Sequence, residues 1–410
     1  MEYLIEAPQE LPVIDEYDVL VLGGGPAGIS AAIAASRIGA KTAIIERYGY
    51  LGGQATGGLV ILLVGLTDGK KKIIRGICEE VINKLKIMKA AEELQAGILF
   101  DPEAMKLVFD SFIQENNITP YYHSFVSNVI AAENWVSGVV IEGKSGRNVI
   151  KSKVFIDATG DADLAKYCRI PFQQENKTLP VTLGFRVGGI NVEKVFQFTA
   201  ENRTQYQKLM ENLGISTQIG GWIKTLHNKE AWFNIAHVEN IDATNTRDLT
   251  KAEIQARKNI FEIIENFKKH IPGFEEGYLI DTAPQMGIRD SRRIKGLYYF
   301  TKDDITKKFS DSIAKAPDYT GSGQGSIEIP FRCLVSKKVE NIIFCGRCIS
   351  IDHELFNLIR EIPCCMATGQ AAGAAAGIVA LKDQEQDYIK KIDINLLRKT
   401  LIEQGAIIMD

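Results

Sequence analysis

The chain has 410 residues, 45% of them hydrophobic, and 48 basic against 51 acidic residues give a formal net charge of -3. That much apolar material at this length builds a substantial core, which excludes a disordered chain and suggests two domains or one large domain with an insertion. The charges are dispersed apart from the run Lys70-Lys71-Lys72, so nothing in the composition asks for nucleic acid as a partner.

The opening stretch "MEYLIEAPQELPVIDEYDV" is acidic and lacks the basic and apolar regions of a signal peptide. No apolar run reads as long enough to span a bilayer, so the expectation is a soluble cytoplasmic protein without a membrane partner. Next comes "VLVLGGGPAGISAAIAASRIGAKTAIIE". Val19 to Leu22 reads as a buried parallel strand, an Ala-rich helix runs to about Gly39, and Thr42 to Ile45 is a second strand. Between the first strand and the helix, Gly23, Gly25 and Gly28 form GxGxxG around Pro26 and Ala27. The first glycine permits the tight turn, the second lets the backbone approach a pyrophosphate, and the third lets helix and strand pack closely. Glu46 ends the second strand about 20 residues on, where a carboxylate accepts hydrogen bonds from ribose hydroxyls. An S-adenosylmethionine enzyme also ends this strand in an acid, but its loop normally lacks the third glycine. Strand, helix, second strand and acid in register point to a bound dinucleotide.

Ribose recognition does not separate FAD from NAD. The chain continues "RYGYLGGQATGGLV", a second glycine-rich loop, with a further apolar run from Leu59 to Val64. Here the sequence resembles the FAD-dependent oxidoreductases of the glutathione-reductase and fumarate-reductase superfamily, and within it the large bacterial family carrying an E-R-x-G-x-L-G-G-x-x-T segment at this place. The resemblance covers nearly the whole chain. It implies FAD as the cofactor, with Arg47, Gly52, Gly53, Gln54 and Thr56 near the pyrophosphate and flavin. Asp101 and Pro102 then read as a helix start, leading to short strands at Thr119 to His123 and Val126 to Ala131, with Val126 a further candidate cofactor contact. A hairpin and another strand follow, ending in Ala158-Thr159-Gly160-Asp161. By residues alone this is a strand-to-helix turn with Asp161 as a cap; the resemblance makes it a turn packed on the cofactor.

No second glycine fingerprint follows. "GSGQGS" at Gly321 to Ser326 has no strand before it or helix after it and reads as a flexible loop, so a pyridine-nucleotide domain is absent and the electron donor or acceptor is another, unknown partner. From Leu179 the composition changes, and a helix is expected around Lys251 to His270. In "APQMGIRDSRRIKG" the cluster Arg289, Arg292 and Arg293 is either a solvated basic face or an anion clamp at the flavin. The block resembles the family's R-E-T-R-R-I element, with Asp290 and Ser291 replacing Glu and Thr.

The seven cysteines form no regular framework and fit free thiols in a reducing compartment. Cys345-Gly346-Arg347-Cys348 is a CxxC that follows the apolar strand Ile342 to Phe344, not one that opens a helix, and no second CxxC or histidine pair completes a zinc set, so no metal site is assigned. It matches the family's A-G-R-C-I-S, with Cys345 where a small apolar residue is usual and Gly346-Arg347 at the cofactor. Cys364-Cys365 precedes an expected small-residue helix, Ala367 to Ala380, which includes Thr368 and Gly369 and whose N-terminus would face the flavin. "IDHELFNLIR" is similar to the family's A-T-H-E-A-x-x-x-I-R. If this stretch is helical, His353 and Arg360 share a face, and either His353 serves as the proton donor or acceptor while Arg360, with Arg289, holds an anionic group or tunes the flavin, or a His-Glu hydrogen bond and an Arg pairing only pin the segment; Arg292 is the next candidate. His123 and His227 read as surface residues.

The expected fold is α/β: a Rossmann-type FAD-binding domain from two segments, 1-179 and 333-410, with an inserted α+β substrate domain at 180-332. The expected activity is hydride exchange between flavin N5 and a small organic substrate, anionic if the arginines face the flavin. The competing readings are a thiol-disulfide flavoprotein using Cys345/Cys348 or Cys364/Cys365, and a non-catalytic flavin-binding scaffold or electron-transfer subunit. Homo-oligomer formation is left open.

Overall fold

The computed structural model describes residues 4, 6-175, 178-216, 220-382 and 389-408. Its main sheet is built on β1 (Val13–Leu22), which leads through α1 (Pro26–Arg37) to the parallel strand β2 (Thr42–Ile45). The strand Thr119–Tyr121 adds to β2 in parallel, and Gly146–Asp157 lies parallel on the other side of β1. Gly146–Asp157 then forks: its first half pairs antiparallel with Trp135–Gly143, which pairs with Phe125–Ala132, while its last residues pair in parallel with Ile342–Phe344. The chain's C-terminal part thus returns to the sheet, making a Rossmann-type fold from two segments.

On one face of this sheet α1 packs against the long helix Ile362–Ala380. Gly369, Gly373 and Gly377 recur every four residues along that helix. A Cβ on Gly369 or Gly373 would stand 2.1 or 2.0 Å from the carbonyl oxygen of Ala27 or Ala31, and one on Gly377 would stand 3.2 Å from that of Ala35. Backbone-to-backbone contact of this kind needs glycine at facing positions. By length and composition Ile362–Ala380 could cross a membrane, contrary to the sequence expectation, but 94% of its apolar window is buried inside the protein. It also starts five residues earlier than expected, because Pro363 suits the first helical turn, where no amide is needed.

The second unit is an antiparallel sheet in the order Trp222–Lys224, Ala231–Val238, Val181–Gly188, Tyr278–Thr282, covered by the helix Thr246–His270. That helix begins ahead of the expected Lys251 because Asn245 accepts the amides of Arg247 and Asp248. Leu59, Ile61 and Leu99 of the first segment join this second core. Of the apolar run Leu59 to Val64 only Leu62–Leu63 is a strand. The hairpin Ser312–Pro317/Ser326–Pro330, placed by the sequence reading in the inserted domain, packs in the first core instead, since its alternate apolar residues Ala314, Ala316, Ile327 and Ile329 face that core. The "GSGQGS" segment is its exposed connection.

Candidate active site

A cavity of about 520 Å³ lies between the two units. Along one wall the three fingerprint glycines have separate structural reasons. Gly23 turns with φ +97°, and a Cβ there would lie 2.6 Å from the Ala158 carbonyl oxygen. A Cβ on Gly28 would stand 1.8 Å from the Gly23 carbonyl oxygen, so only glycine lets α1 start this close to the turn. Gly25, the residue before α1, has no atom within 4 Å of its absent Cβ and opens onto the cavity. Its openness is useful only to a ligand that must approach the helix N-terminus, where unpaired amides and the dipole favour phosphate.

Glu46 lines the same wall and is positioned by two amides, Gly24 N–H to Oε2 at 2.7 Å and Tyr48 N–H to Oε1 at 3.0 Å. Burial pushes its carboxyl up despite these bonds. Each oxygen keeps a lone pair for a hydroxyl donor, as ribose binding needs. Pro26, Ala27, Arg47, Gly53, Gln54, Val126, Ala158, Thr159, Gly160, Asp161, Gly346 and Arg347 also line the cavity. The amide of Gln54 donates to Met286 O at 3.2 Å, while its buried Oε1 has no protein donor. That unsatisfied acceptor, the open Gly25 and the pinned Glu46 fit a bound dinucleotide.

Five residues assigned to the cofactor lie behind this surface. Gly28 and Gly369 serve helix packing, and Gly52, with φ +105°, turns the chain beside Thr56. Thr56 Oγ1 donates to Leu51 O at 2.7 Å and braces that turn. Thr368 Oγ1 accepts the Gly346 amide at 3.1 Å, so it holds the neighbouring cavity residue.

The arginine cluster separates into three roles, and it is not a solvated face. Arg293 is fully buried and donates to Asp290 at 2.7 Å and Glu175 at 3.0 Å. Arg292 is also buried, donates to Asp163 at 3.0 Å, and stands outside the cavity lining. Arg289 reaches the cavity. Arg347 ties the units together by donating to Ile288 O and to Asp161, both at 2.7 Å, and Ser291 donates to the same carboxylate oxygen at 2.7 Å.

His353 does not line the cavity. It begins a 3-10 turn, His353–Leu355, followed by one helical turn, Phe356–Ile359, and the chain then breaks at Arg360 and Glu361 before the long helix restarts. The tighter 3-10 start changes the residue period and the helical turn ends before Arg360, so the expected common face of His353 and Arg360 does not form. His353 Nδ1 is 3.2 Å from Asp290 Oδ2, behind the cavity wall, whereas Arg360 faces into it. The residue sequence reasoning missed is Glu361, at the cavity end of the long helix. Its signal was present: a carboxylate two residues before a proline that opens a helix. Elsewhere, His227 Nε2 bonds Asp101 at 3.2 Å, and the His123 ring covers Gly49.

All seven cysteines are free. Cys345 and Cys348 are fully buried, and their sulfurs both approach the Asp157 carbonyl oxygen, at 3.9 and 3.7 Å. Burial, then the nearby Asp157 carboxyl, pushes both thiols well above the ordinary range. Cys345 and Cys365 line the cavity, but burial also pushes the Cys365 thiol up to about 12. Such thiols supply almost no thiolate at neutral pH. Replacing Cys345 and Cys348 together by serine is therefore expected to leave FAD content and flavin reduction nearly unchanged, measured by the visible flavin spectrum; lost reduction with FAD still bound would favour a dithiol.

Fold and cavity together define a two-segment, FAD-type dinucleotide-binding enzyme. The family model of the FAD dependent oxidoreductases matches residues 18-401, and the chain belongs to that family. It is 31% identical over 151 residues to dihydrolipoyl dehydrogenase 1, mitochondrial, of Arabidopsis thaliana, covering 36% of this chain and 28% of that one. It is 32% identical over 161 residues to the thiamine thiazole synthase of Sulfolobus acidocaldarius, covering 36% of this chain and 57% of the relative. In each case the match spans well under two thirds of the relative's length. Two solved structures show the same fold. A triple mutant of the flavin-dependent brominase Bmp2 has a TM-score of 0.50 at 12% identity, covering 94% of this chain and 84% of that one. The OxyS anhydrotetracycline hydroxylase of Streptomyces rimosus has a TM-score of 0.50 at 11% identity, covering 95% and 66%.

Proposed function

We propose that this enzyme exchanges a hydride between flavin N5 and a small organic substrate held on the second unit's side of the cavity. FAD supplies the two-electron chemistry; the chain orients the substrate and moves its proton. The observation that carries this reading is that the cavity extends beyond the nucleotide cradle onto Leu179, Thr182, Asn234, Gln285 and Arg289, with Arg360 and Glu361 beside them.

Of the acidic residues lining the cavity, three are committed elsewhere: Glu46 to two amides, Asp161 to Arg347 and Ser291, and Asp163 to Arg292. Among the described residues, Glu361 has only Arg360 Nη1, at 3.9 Å, as an ion-pair partner. Its carboxylate is free to take the proton of a hydroxyl or amine as the hydride leaves carbon, and to return it in the reverse direction. The buried thiols speak against disulfide exchange. Anaerobic mixing of the FAD-bound protein with small alcohols, hydroxy acids and amines, and of dithionite-reduced protein with unsaturated acids, tests the reading. Bleaching or recovery of the flavin band by at least one compound is expected. If none acts in either direction, the scaffold or electron-transfer reading replaces this one.

A further inference from the structure

Four arginines of the second unit and its junction have close carboxylate partners. Arg186 pairs with Asp281 and Glu230, Arg292 with Asp163, Arg293 with Asp290 and Glu175, and Arg347 with Asp161. Arg289, which lines the cavity, has no carboxylate within hydrogen-bonding distance among the described residues. Its Nη1 donates to Pro180 O at 2.7 Å and to Thr182 Oγ1, and its Nη2 donates to Asn234 Oδ1 at 3.3 Å. All three acceptors are neutral. They fix the guanidinium in place without neutralising it, and a buried cation without a countercharge is costly. Burial, and after it the neighbouring Arg360 charge, holds Arg289 down to about 10.

Arg360 does not relieve this. Its Nε donates to Asn357 Oδ1 at 2.8 Å, and its nearest carboxylate oxygen is that of Glu361 at 3.9 Å. At this end of the cavity Arg289, Arg360 and Glu361 together present two guanidinium groups and one carboxylate, one positive charge more than negative.

We propose that Arg289 and Arg360 form the binding site for the carboxylate of a small organic acid, which makes a carboxylate-bearing alcohol, amine or unsaturated acid the substrate class. A carboxylate carries the single charge the cluster lacks and matches the guanidinium fork. A phosphate dianion would bring excess negative charge against Glu361. Val60, Leu179, Ile288 and Ile362 line the same cavity and offer apolar surface to the rest of a small acid. The substrate assignment rests on the proposed hydride exchange, whereas the carboxylate site itself does not.

The test is calorimetric titration of oxidised, FAD-bound protein with sodium acetate, glycolate and benzoate, against sodium phosphate at matched ionic strength, with flavin absorbance followed in parallel. At least one carboxylate is expected to bind saturably and to perturb the flavin spectrum, with phosphate weaker. Arg289→Ala and Arg360→Ala, each retaining FAD, should weaken that binding about tenfold or more, as expected for lost hydrogen bonds to a charged group. If Arg289→Ala fails to fold, Arg360→Ala alone decides. The proposal is overturned if no carboxylate binds saturably, or if both folded variants bind as the parent does. Carboxylate binding without flavin reduction by any compound would retain this site and remove the hydride-exchange reading; flavin reduction by uncharged substrates without carboxylate binding would do the reverse.

Discussion

Replacing Gly25 by valine is expected to give a folded but colourless protein. Gly25 has φ -71° and ψ -179°, an extended conformation open to any residue, and its absent Cβ meets nothing within 4 Å. Valine is a poor residue ahead of a helix, but the cost is only about 1 kcal/mol. Its side chain would enter the cavity where the pyrophosphate must approach the α1 N-terminus. FAD is therefore expected to be lost on gel filtration while the apo-protein keeps a cooperative thermal transition. Gly373→Val is the contrasting variant. There the new Cβ would stand 2.0 Å from the Ala31 carbonyl oxygen, a backbone atom that cannot swing aside. Overpacking costs about 1-3 kcal/mol where side chains give way, and more where helices must part, which is a large share of a typical 5-15 kcal/mol stability. The thermal transition should fall sharply, with flavin lost as a consequence. Retention of FAD by Gly25→Val would remove that loop from the pyrophosphate site.

The same contrast explains what could be read from the chain. A glycine fingerprint is local chemistry: turn, approach and packing are decided within a few residues of Gly23, Gly25 and Gly28, so the βαβ unit and its ligand were legible. The return of Ile342–Phe344 to the sheet was legible too, because a short apolar run ending in a glycine turn has few other places to go. Arg289, Arg292 and Arg293 were not separable. They lie in an irregular stretch with no period to assign faces, and their partners, Thr182, Asp163 and Glu175, are 107, 129 and 118 residues away in sequence. The His353–Arg360 spacing was not legible for a different reason: it assumes one continuous α-helix, whereas the chain forms a 3-10 turn, His353–Leu355, and then a single helical turn, Phe356–Ile359, before Arg360.

The proposed proton-transfer role of Glu361, in place of His353, has a measurable consequence. Glu361→Gln keeps the size and hydrogen-bonding outline of the side chain but cannot take up a proton. With a compound that bleaches the flavin, its reduction rate should fall by about 10²-10⁴, the range a general base contributes, with FAD content unchanged. His353→Ala, in which the lost group stands against Asp290 behind the wall, should slow reduction by about tenfold or less. The pH dependence separates a proton acceptor from a structural prop. Burial raises the Glu361 carboxyl, and Arg360 and Arg289 pull it only part of the way back, so its folded-state pKa lies above the ordinary value. The base is the deprotonated form, so in the oxidative direction the parent's rate should rise with pH through that raised pKa and then level. Glu361→Gln should lose this rise, leaving only the slow, flat residue, whereas a merely structural glutamate would leave the shape of the profile intact. A hundredfold loss in His353→Ala with a normal profile in Glu361→Gln would route the proton through the His353–Asp290 pair and leave Glu361 as a partner of Arg360 alone.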